Sequence, residues 1–194
     1  SGNGNHGVVT GATLTLDRFG INKKAFSFNG INNYIIVNNS SSIQPKTTLT
    51  VSVWLNVSGY PTDARDGWAG IISKRINDDA SPWDSYLVSV HKDKYLQFCA
   101  YGSRDAVKLN DVPLSTWIFA VGIVDGNMTR LYINGLLCDT TAYEGTILYS
   151  SSSLRIGTLS LTRLNPFFGK IDDIRIYNRA LSEAEIQLLY HEGG

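Results

Sequence analysis

The sequence contains few of the residues on which hydrolytic and metal-dependent chemistry most often relies. Its 194 residues include two cysteines, three histidines and four glutamates. The cysteines and histidines do not have the spacing of a zinc site, and no G-x-S-x-G motif marks a nucleophilic serine. A glycosidase needs two carboxylates that face each other across a sugar, and no predicted strand carries such a pair. These shortages argue against an enzyme.

Charge and hydropathy exclude two further classes of partner. Seventeen Lys and Arg residues balance seventeen Asp and Glu residues, and no basic block is present. We therefore expect neither a nucleic acid nor an anionic membrane surface as a partner. No apolar run approaches the roughly 20 residues that a membrane-spanning helix requires, so membrane insertion is not expected either.

The two cysteines leave the redox compartment open. Cys99 and Cys138 both lie in segments with the pattern of a strand. One disulfide and two buried thiols are equally compatible with this placement.

Short alternating segments and aromatic residues are abundant. Apolar residues occupy every second position in Leu49–Asn56 and Trp117–Val124, which is typical of strands with one buried face. The dipeptides Asp125-Gly126 and Asn134-Gly135 predict tight hairpin turns. About a dozen such strands and a single helix predict one all-β domain over residues 1–194, an antiparallel sandwich or barrel.

The C-terminal stretch Phe168–Tyr190 predicts a strand followed by that helix. Ser182 and Glu185 have the spacing of a capping box, and Leu181 and Ile186 have that of a hydrophobic staple. In a regular strand, Asp172 would share a face with Ile174 and Ile176. A carboxylate on a buried face must be paired, hydrogen-bonded or metal-bound.

Seven segments follow one another along the chain: SGNGNHG, AFSFNGINNYIIV, LTVSVWLN, IISKR, WIFAVGIVDGNMTRLYINGLL, LRIGTL and FFGKIDDIRIYNRALSEAEIQLLY. In this order they resemble the bacterial laminin-G-like, concanavalin A-like jelly-roll modules, which are antiparallel β-sandwiches. The resemblance implies a non-catalytic module of a secreted multi-domain protein, extracellular or at the cell surface. Its partners would be a polysaccharide or other glycan, together with other domains of the parent protein.

Two departures from that family pattern stand out. The strand that usually precedes the opening loop is absent, so we expect a domain that lacks the family's first strand. Acidic residues of the family's first strand pair are replaced by Asn29, Asn32 and Asn33. Fewer acids there would weaken a nearby cation site.

Related jelly rolls often carry one structural calcium ion, and the resemblance predicts one here. A calcium ion takes six to eight oxygen ligands, many of them carbonyls in irregular loops. The predicted ligands are Asp172, Gly30, Asn3 and Asn5. The alternative is that Asp172 accepts a hydrogen bond from a loop amide without a metal.

Trp68 and Trp83 are the best candidates for a sugar platform, because each lies in a long polar loop beside charged residues. Sugar rings stack on aromatic side chains while polar groups bind their hydroxyls. Tyr60, Tyr101 and Arg104 could complete the site. In the alternative, the loops fold over the sheet and bury both Trp residues. Trp54 and Trp117 match the family's structural Trp positions.

The sequence thus predicts a non-catalytic, calcium-stabilised glycan-binding module. A structural or protein-contact module, such as an adhesin domain, is the first alternative. A glycosidase with a divergent acid pair is the second.

Overall fold

The computed structural model describes residues 3–62, 67–101, 103, 105–162 and 164–192. In these ranges the chain forms two seven-stranded sheets, called sheet A and sheet B here. Sheet A contains, in spatial order, β1 (Gly7–Thr10), β4 (Tyr34–Val37), β13 (Leu154–Ile156), β6 (Trp68–Arg75), β7 (Asp84–His91), β8 (Leu96–Ala100) and β9 (Val107–Leu109). Sheet B contains β12 (Leu136–Ala142), β11 (Met128–Ile133), β10 (Trp117–Val124), β5 (Leu49–Val57), β14 (Phe168–Tyr177), β3 (Ala25–Asn29) and β2 (Thr13–Thr15). Neighbouring strands are antiparallel, which confirms the predicted sandwich.

The core lies between the sheets and follows from the alternation along the strands. Leu49, Val51, Val53 and Leu55 of β5 are all fully buried. The predicted hairpin turns are present, since Gly126 has φ +97° and Asn134 has φ +51°. Positive φ at such positions matches the twist of the flanking strands.

Strand β1 was not predicted, because its residues fall in what reads as a glycine-rich opening loop. It pairs with β4 from Gly7 opposite Val37 to Thr10 opposite Tyr34, and all four of its residues are exposed. Pairing with a neighbour, and not burial, holds this strand in place.

The predicted helix is α1 (Glu183–His191), and its capping box is confirmed. The Ser182 hydroxyl accepts a hydrogen bond from the Glu185 amide at 3.3 Å, and the Glu185 carboxylate accepts one from the Ser182 amide at 2.8 Å. Leu181 and the fully buried Ile186 pack with Trp54 and Phe119 on the outer face of sheet B. The cap and this packing explain the helix without any functional role.

The prediction that Asp172 shares a face with Ile174 and Ile176 is wrong. Asp172 lies opposite Trp54, and Arg175 lies opposite Ser52, so β14 contains one extra residue between them. Such a β-bulge shifts every later side chain to the other face. Asp172 consequently points to the outer face of sheet B, on which Trp54 packs.

The two cysteines are both free thiols: Cys99 lies in sheet A and Cys138 in sheet B. In the described part of the chain, no helix combines the length and hydropathy of a membrane span.

Candidate functional site

The outer face of sheet A carries a cleft. Tyr86, Val88 and Val90 of β7 point into the core, so the residues between them point outward. The cleft has a volume of about 340 Å³. It is lined by Trp68, Arg75, Asp78, Trp83, Asp84, Leu87, Gln97, Cys99, Leu159, Ser160 and Asn165.

Both candidate platform residues, Trp68 and Trp83, line this one cleft. Trp83 precedes β7 and is 40% exposed, and the Arg75 guanidinium lies 5.3 Å from its ring centroid. Trp68 is the first residue of β6 and does not lie in the loop predicted from the sequence. The centroid of its ring lies 4.5 Å from that of His91 and 5.4 Å from that of Tyr95. These contacts leave Trp68 half-buried. Trp83 is therefore the more accessible of the two.

A chain of ion pairs forms the polar part of the cleft. Arg75 lies directly opposite Asp84 across β6 and β7, and its Nη1 donates to both carboxylate oxygens at 3.1 and 3.0 Å. Arg155 of β13 donates from Nη1 and Nη2 to the two oxygens of Asp78 at 2.6 and 2.9 Å. Arg75 Nε also lies 3.4 Å from Asp78 Oδ1, which joins the two pairs. Both arginines are more than nine-tenths buried.

Burial and charge act differently on the two carboxyl groups. Burial raises the pKa of Asp84 to about 6, although the charge and hydrogen bonds of Arg75 oppose this. Burial also favours the neutral form of Asp78, but the bidentate bonds and charge of Arg155, helped by Arg75, bring its pKa below the usual value. Burial raises the pKa of the nearby Cys99 thiol to about 12, so this thiol stays neutral. At neutral pH the cleft thus holds two arginines and two ionised acids.

The far wall of the cleft is the loop after β13. The backbone of this loop contacts Gly70 closely. A Cβ atom at position 70 would lie 2.5 Å from the Leu159 nitrogen. The Gly70 amide donates to the Asn165 carbonyl at 3.0 Å, and Arg155 Nη1 donates to the Leu159 carbonyl at 2.9 Å. Only glycine permits this approach.

Tyr60 and Tyr101, the other two predicted ligand residues that the structure describes, are not among those that line the cleft. Tyr60 donates its hydroxyl to the Val112 carbonyl and packs on the core. Tyr101 is also half-buried against the core. Arg104 lies outside the described residues. In this structure Tyr60 and Tyr101 do not join the two Trp residues in the cleft, because both tyrosines pack against the core.

The predicted calcium ligands are brought together only in part, since Asp172 and Asn5 line the same slot between the sheets, whereas Gly30 and Asn3 do not line it. Asp172 accepts a bond from Arg18 Nη1 at 3.2 Å and another from the Asp173 amide at 2.9 Å. Burial and the neighbouring Asp173 charge raise its pKa. The cation beside this carboxylate is therefore a guanidinium, and it also lies over the Trp54 ring at 4.6 Å from the centroid.

The remaining three predicted ligands make other contacts. The Asn5 side chain bonds Ser40 and Ser42 at 2.8 and 2.9 Å. Gly30 lies at the opposite end of β14, where its amide donates to the Phe167 carbonyl. Asn3 is exposed. Among the described residues no group of three or more His, Cys, Asp or Glu side chains could hold a metal. The structural calcium ion stays a prediction that these contacts do not support.

Sequence reasoning missed Arg75, Arg155, Gln97 and Asn165. The Arg75–Asp84 pair had little signal, since Asp84 reads as part of the loop before β7, whereas it is the first residue of that strand in the structure. Arg155 had none, because it comes from a strand about 80 residues later in the chain that inserts beside β6.

Comparison with solved structures finds the same fold in several binding domains. The binding domain of Paraclostridial Mosquitocidal Protein 1 matches at 22% identity and a TM-score of 0.73, over 97% of this chain and 48% of that one. Domain 4 of AbnA, an extracellular arabinanase from Geobacillus stearothermophilus solved with arabinotriose, matches at 20% and 0.66, over 95% and 88%. Trypanosoma rangeli sialidase matches at 13% and 0.65, over 95% and 29%.

These structural likenesses establish the fold alone, and this chain spans about half the length of the toxin domain. A search of curated protein sequences finds no match. A family model, in contrast, matches residues 29–187, which is most of the chain. The chain belongs to the concanavalin A-like lectin/glucanases superfamily.

Proposed function

We propose that this domain is a non-catalytic glycan-binding module and that the cleft on the outer face of sheet A is its binding site. The observation that carries the proposal is that Trp68 and Trp83 line the same cleft, beside Arg75, Asp84 and Gln97. A sugar offers an apolar face to an aromatic ring and hydroxyls to polar side chains. The cleft supplies both kinds of contact within about 340 Å³, the size of a small-ligand site.

Catalysis is not part of the proposal. A glycosidase acid must deliver a proton to the glycosidic oxygen, and its partner must reach the anomeric carbon or a water molecule. In this cleft Asp78 and Asp84 are each held by a buried arginine within hydrogen-bond distance. These contacts favour a role in which the acids accept hydrogen bonds and do not transfer protons.

Location and assembly follow as further proposals. We infer an extracellular or cell-surface module that works beside other domains of its parent protein. The similar arabinanase domain comes from an extracellular enzyme and was solved with arabinotriose, which supports such a setting. A structural calcium ion remains a separate prediction that rests on the family resemblance, and the contacts of Asp172 do not support it.

Affinity electrophoresis against a panel of polysaccharides tests the proposal. We expect at least one to retard the wild-type protein and Trp83→Ala to weaken that binding at least about tenfold, about 1.4 kcal/mol. Phe19→Ala is the matched control, because Phe19 is an equally exposed aromatic (45%) outside this cleft. If no polysaccharide retards the protein, or if Trp83→Ala binds as well as the wild type, the proposal fails.

A protein-contact module is the second candidate, and an apolar slot favours it. The slot measures about 410 Å³ and opens between the two sheets beside edge strand β1. Phe26, Phe28 and Ile35 are among its walls. Val8 and Leu14 on the edge strands are more than half exposed. Exposed apolar residues on an unpaired strand edge are typical of contact surfaces.

A further inference from the structure

We propose that the sheet A cleft takes a neutral glycan and rejects glycans that carry carboxylate or sulfate groups, because its two arginines are already paired with Asp78 and Asp84. This inference rests on the proposed glycan-binding function and names the chemical class of its ligand.

The ion pairs leave no cation free for an anionic ligand among the described residues that line the cleft. Arg155 forms a bidentate pair with Asp78, and Arg75 bonds both oxygens of Asp84. Bidentate arginine pairs are the geometry with which proteins capture carboxylates. Asp78 occupies that geometry on Arg155, and Asp84 holds Arg75 through Nη1 alone, so the positive and negative charges of the four side chains cancel.

An incoming acidic sugar would therefore have to compete with the protein. It would either displace a carboxylate from its arginine or lie beside Asp78 and Asp84 without a partner. Both outcomes leave an unpaired charge in a site where the arginines are more than nine-tenths buried. Unpaired charge in such surroundings is strongly unfavourable.

A neutral sugar meets a different surface. A carboxylate oxygen can accept more than one hydrogen bond. Asp78 and Asp84 can therefore still accept hydrogen bonds from sugar hydroxyls while they are paired with arginine. The amide of Gln97 lines the same cleft, and the ring of Trp83 stands at its rim. The arginines then act as positioning residues that hold the two acids toward the ligand.

The first experiment compares neutral and acidic polysaccharides with the wild-type protein. The neutral probes are arabinan, xylan, mannan and β-glucan, and the acidic probes are polygalacturonate, alginate and heparin, all at pH 8 where Asp84 is ionised. We expect retardation by a neutral probe only, and loss of that retardation in Trp83→Ala. Equal or tighter Trp83-dependent binding of an acidic probe would overturn the inference and leave the proposed function standing. Binding that does not depend on Trp83, or no binding, would overturn the proposed function, and the inference with it.

The second experiment releases one arginine. Asp84→Asn removes the acid opposite Arg75 and gives the four-residue cluster one net positive charge. We expect its affinity for polygalacturonate to rise at least tenfold over the wild type, while Asp105→Asn, which removes an exposed acid outside the cleft, changes nothing. The melting temperature of each variant confirms that it is folded. If the folded Asp84→Asn variant gains no affinity for any acidic probe, the paired arginines do not set the specificity.

Discussion

At the scale of single residues, the most informative positions are charged side chains that are buried. Asp84 is the clearest case, since its side chain is only 11% exposed and pairs with Arg75 at 3.0 Å. Its pKa is raised to about 6, first by burial. A carboxyl group whose pKa is higher in the folded than in the unfolded protein binds its proton more tightly when folded. The folded protein is then favoured at low pH, and this contribution is lost as pH rises from about 4 through 6.

We predict that Asp84→Asn changes the pH dependence of stability with a definite sign. Asn cannot ionise, so the variant escapes the cost that the wild type incurs as Asp84 loses its proton. The difference in the free energy of unfolding, variant minus wild type, should therefore increase by up to about 3 kcal/mol from pH 4 to pH 7. Urea denaturation at several pH values measures this difference, with Asp105→Asn as the control. A constant difference across the interval would contradict the raised pKa.

Arg18 shows how a residue outside any recognised motif can take the place predicted for a metal ion. Its side chain and that of Asp172 are each only 8% exposed, and they pair at 3.2 Å. Removing one member of a buried pair commonly costs about 3 kcal/mol or more. We predict such a loss in the free energy of unfolding for Arg18→Met, with no recovery on adding calcium. Thermal unfolding of the wild type with and without chelator completes the test. A lower melting temperature with chelator would restore the calcium prediction.

At the scale of elements, the loop after β13 depends on one close approach. Its backbone passes Gly70 so tightly that a Cβ would lie 2.5 Å from the Thr158 carbonyl carbon and the Leu159 nitrogen. Gly70 itself lies in the middle of β6, opposite Ser89. The strand and the loop can therefore form this wall of the cleft only with glycine at position 70.

We predict that Gly70→Ala destabilises the domain by about 1 to 3 kcal/mol, the usual cost of overpacking, and weakens glycan binding. Ser89→Ala is the matched control, because it changes a neighbouring buried position without adding an atom, and it should bind normally. Denaturation and affinity electrophoresis of both variants decide the matter. Wild-type stability and binding in Gly70→Ala would show that the loop does not rest on β6.

The C-terminal helix has a simpler prediction. Ser182→Ala removes the side-chain acceptor for the Glu185 amide and should cost about 1 kcal/mol of stability. Ser182→Asn keeps a capping oxygen and should lose much less. Urea midpoints of the two variants provide the comparison, and equal losses would mean that the cap contributes little.

At the scale of the whole molecule, strand periodicity was enough to predict the sandwich and most strand boundaries. β10 has the predicted bounds Trp117–Val124, β5 ends one residue beyond the predicted Asn56, and α1 begins after the predicted cap. Trp68 and Trp83 were singled out on another ground, namely their predicted place in long polar loops beside charged residues. Periodicity alone did not predict the bulge after Asp172, although Ile171 and Ile174 both face the core at a spacing of three, which breaks the alternation. It could not predict Arg155 in the site either, because the position of β13 beside β6 depends on pairing between distant strands.

The two sheets place the four Trp residues in two separate environments. Trp68 and Trp83 line the cleft on sheet A, whereas Trp54 and Trp117 lie together beside a depression on the outer face of sheet B. The central claim is that a glycan binds in the first environment.

The most direct measurement is an NMR titration. An oligosaccharide from a polysaccharide that retards the protein is added stepwise, and the four indole N–H resonances are followed. Each indole reports its own surroundings, and single Trp→Phe variants assign the signals. We expect the Trp83 resonance to shift most and the Trp68 resonance to shift as well, while the resonances of Trp54 and Trp117 do not change. Shifts confined to Trp54 and Trp117 would place the ligand on sheet B and contradict the account.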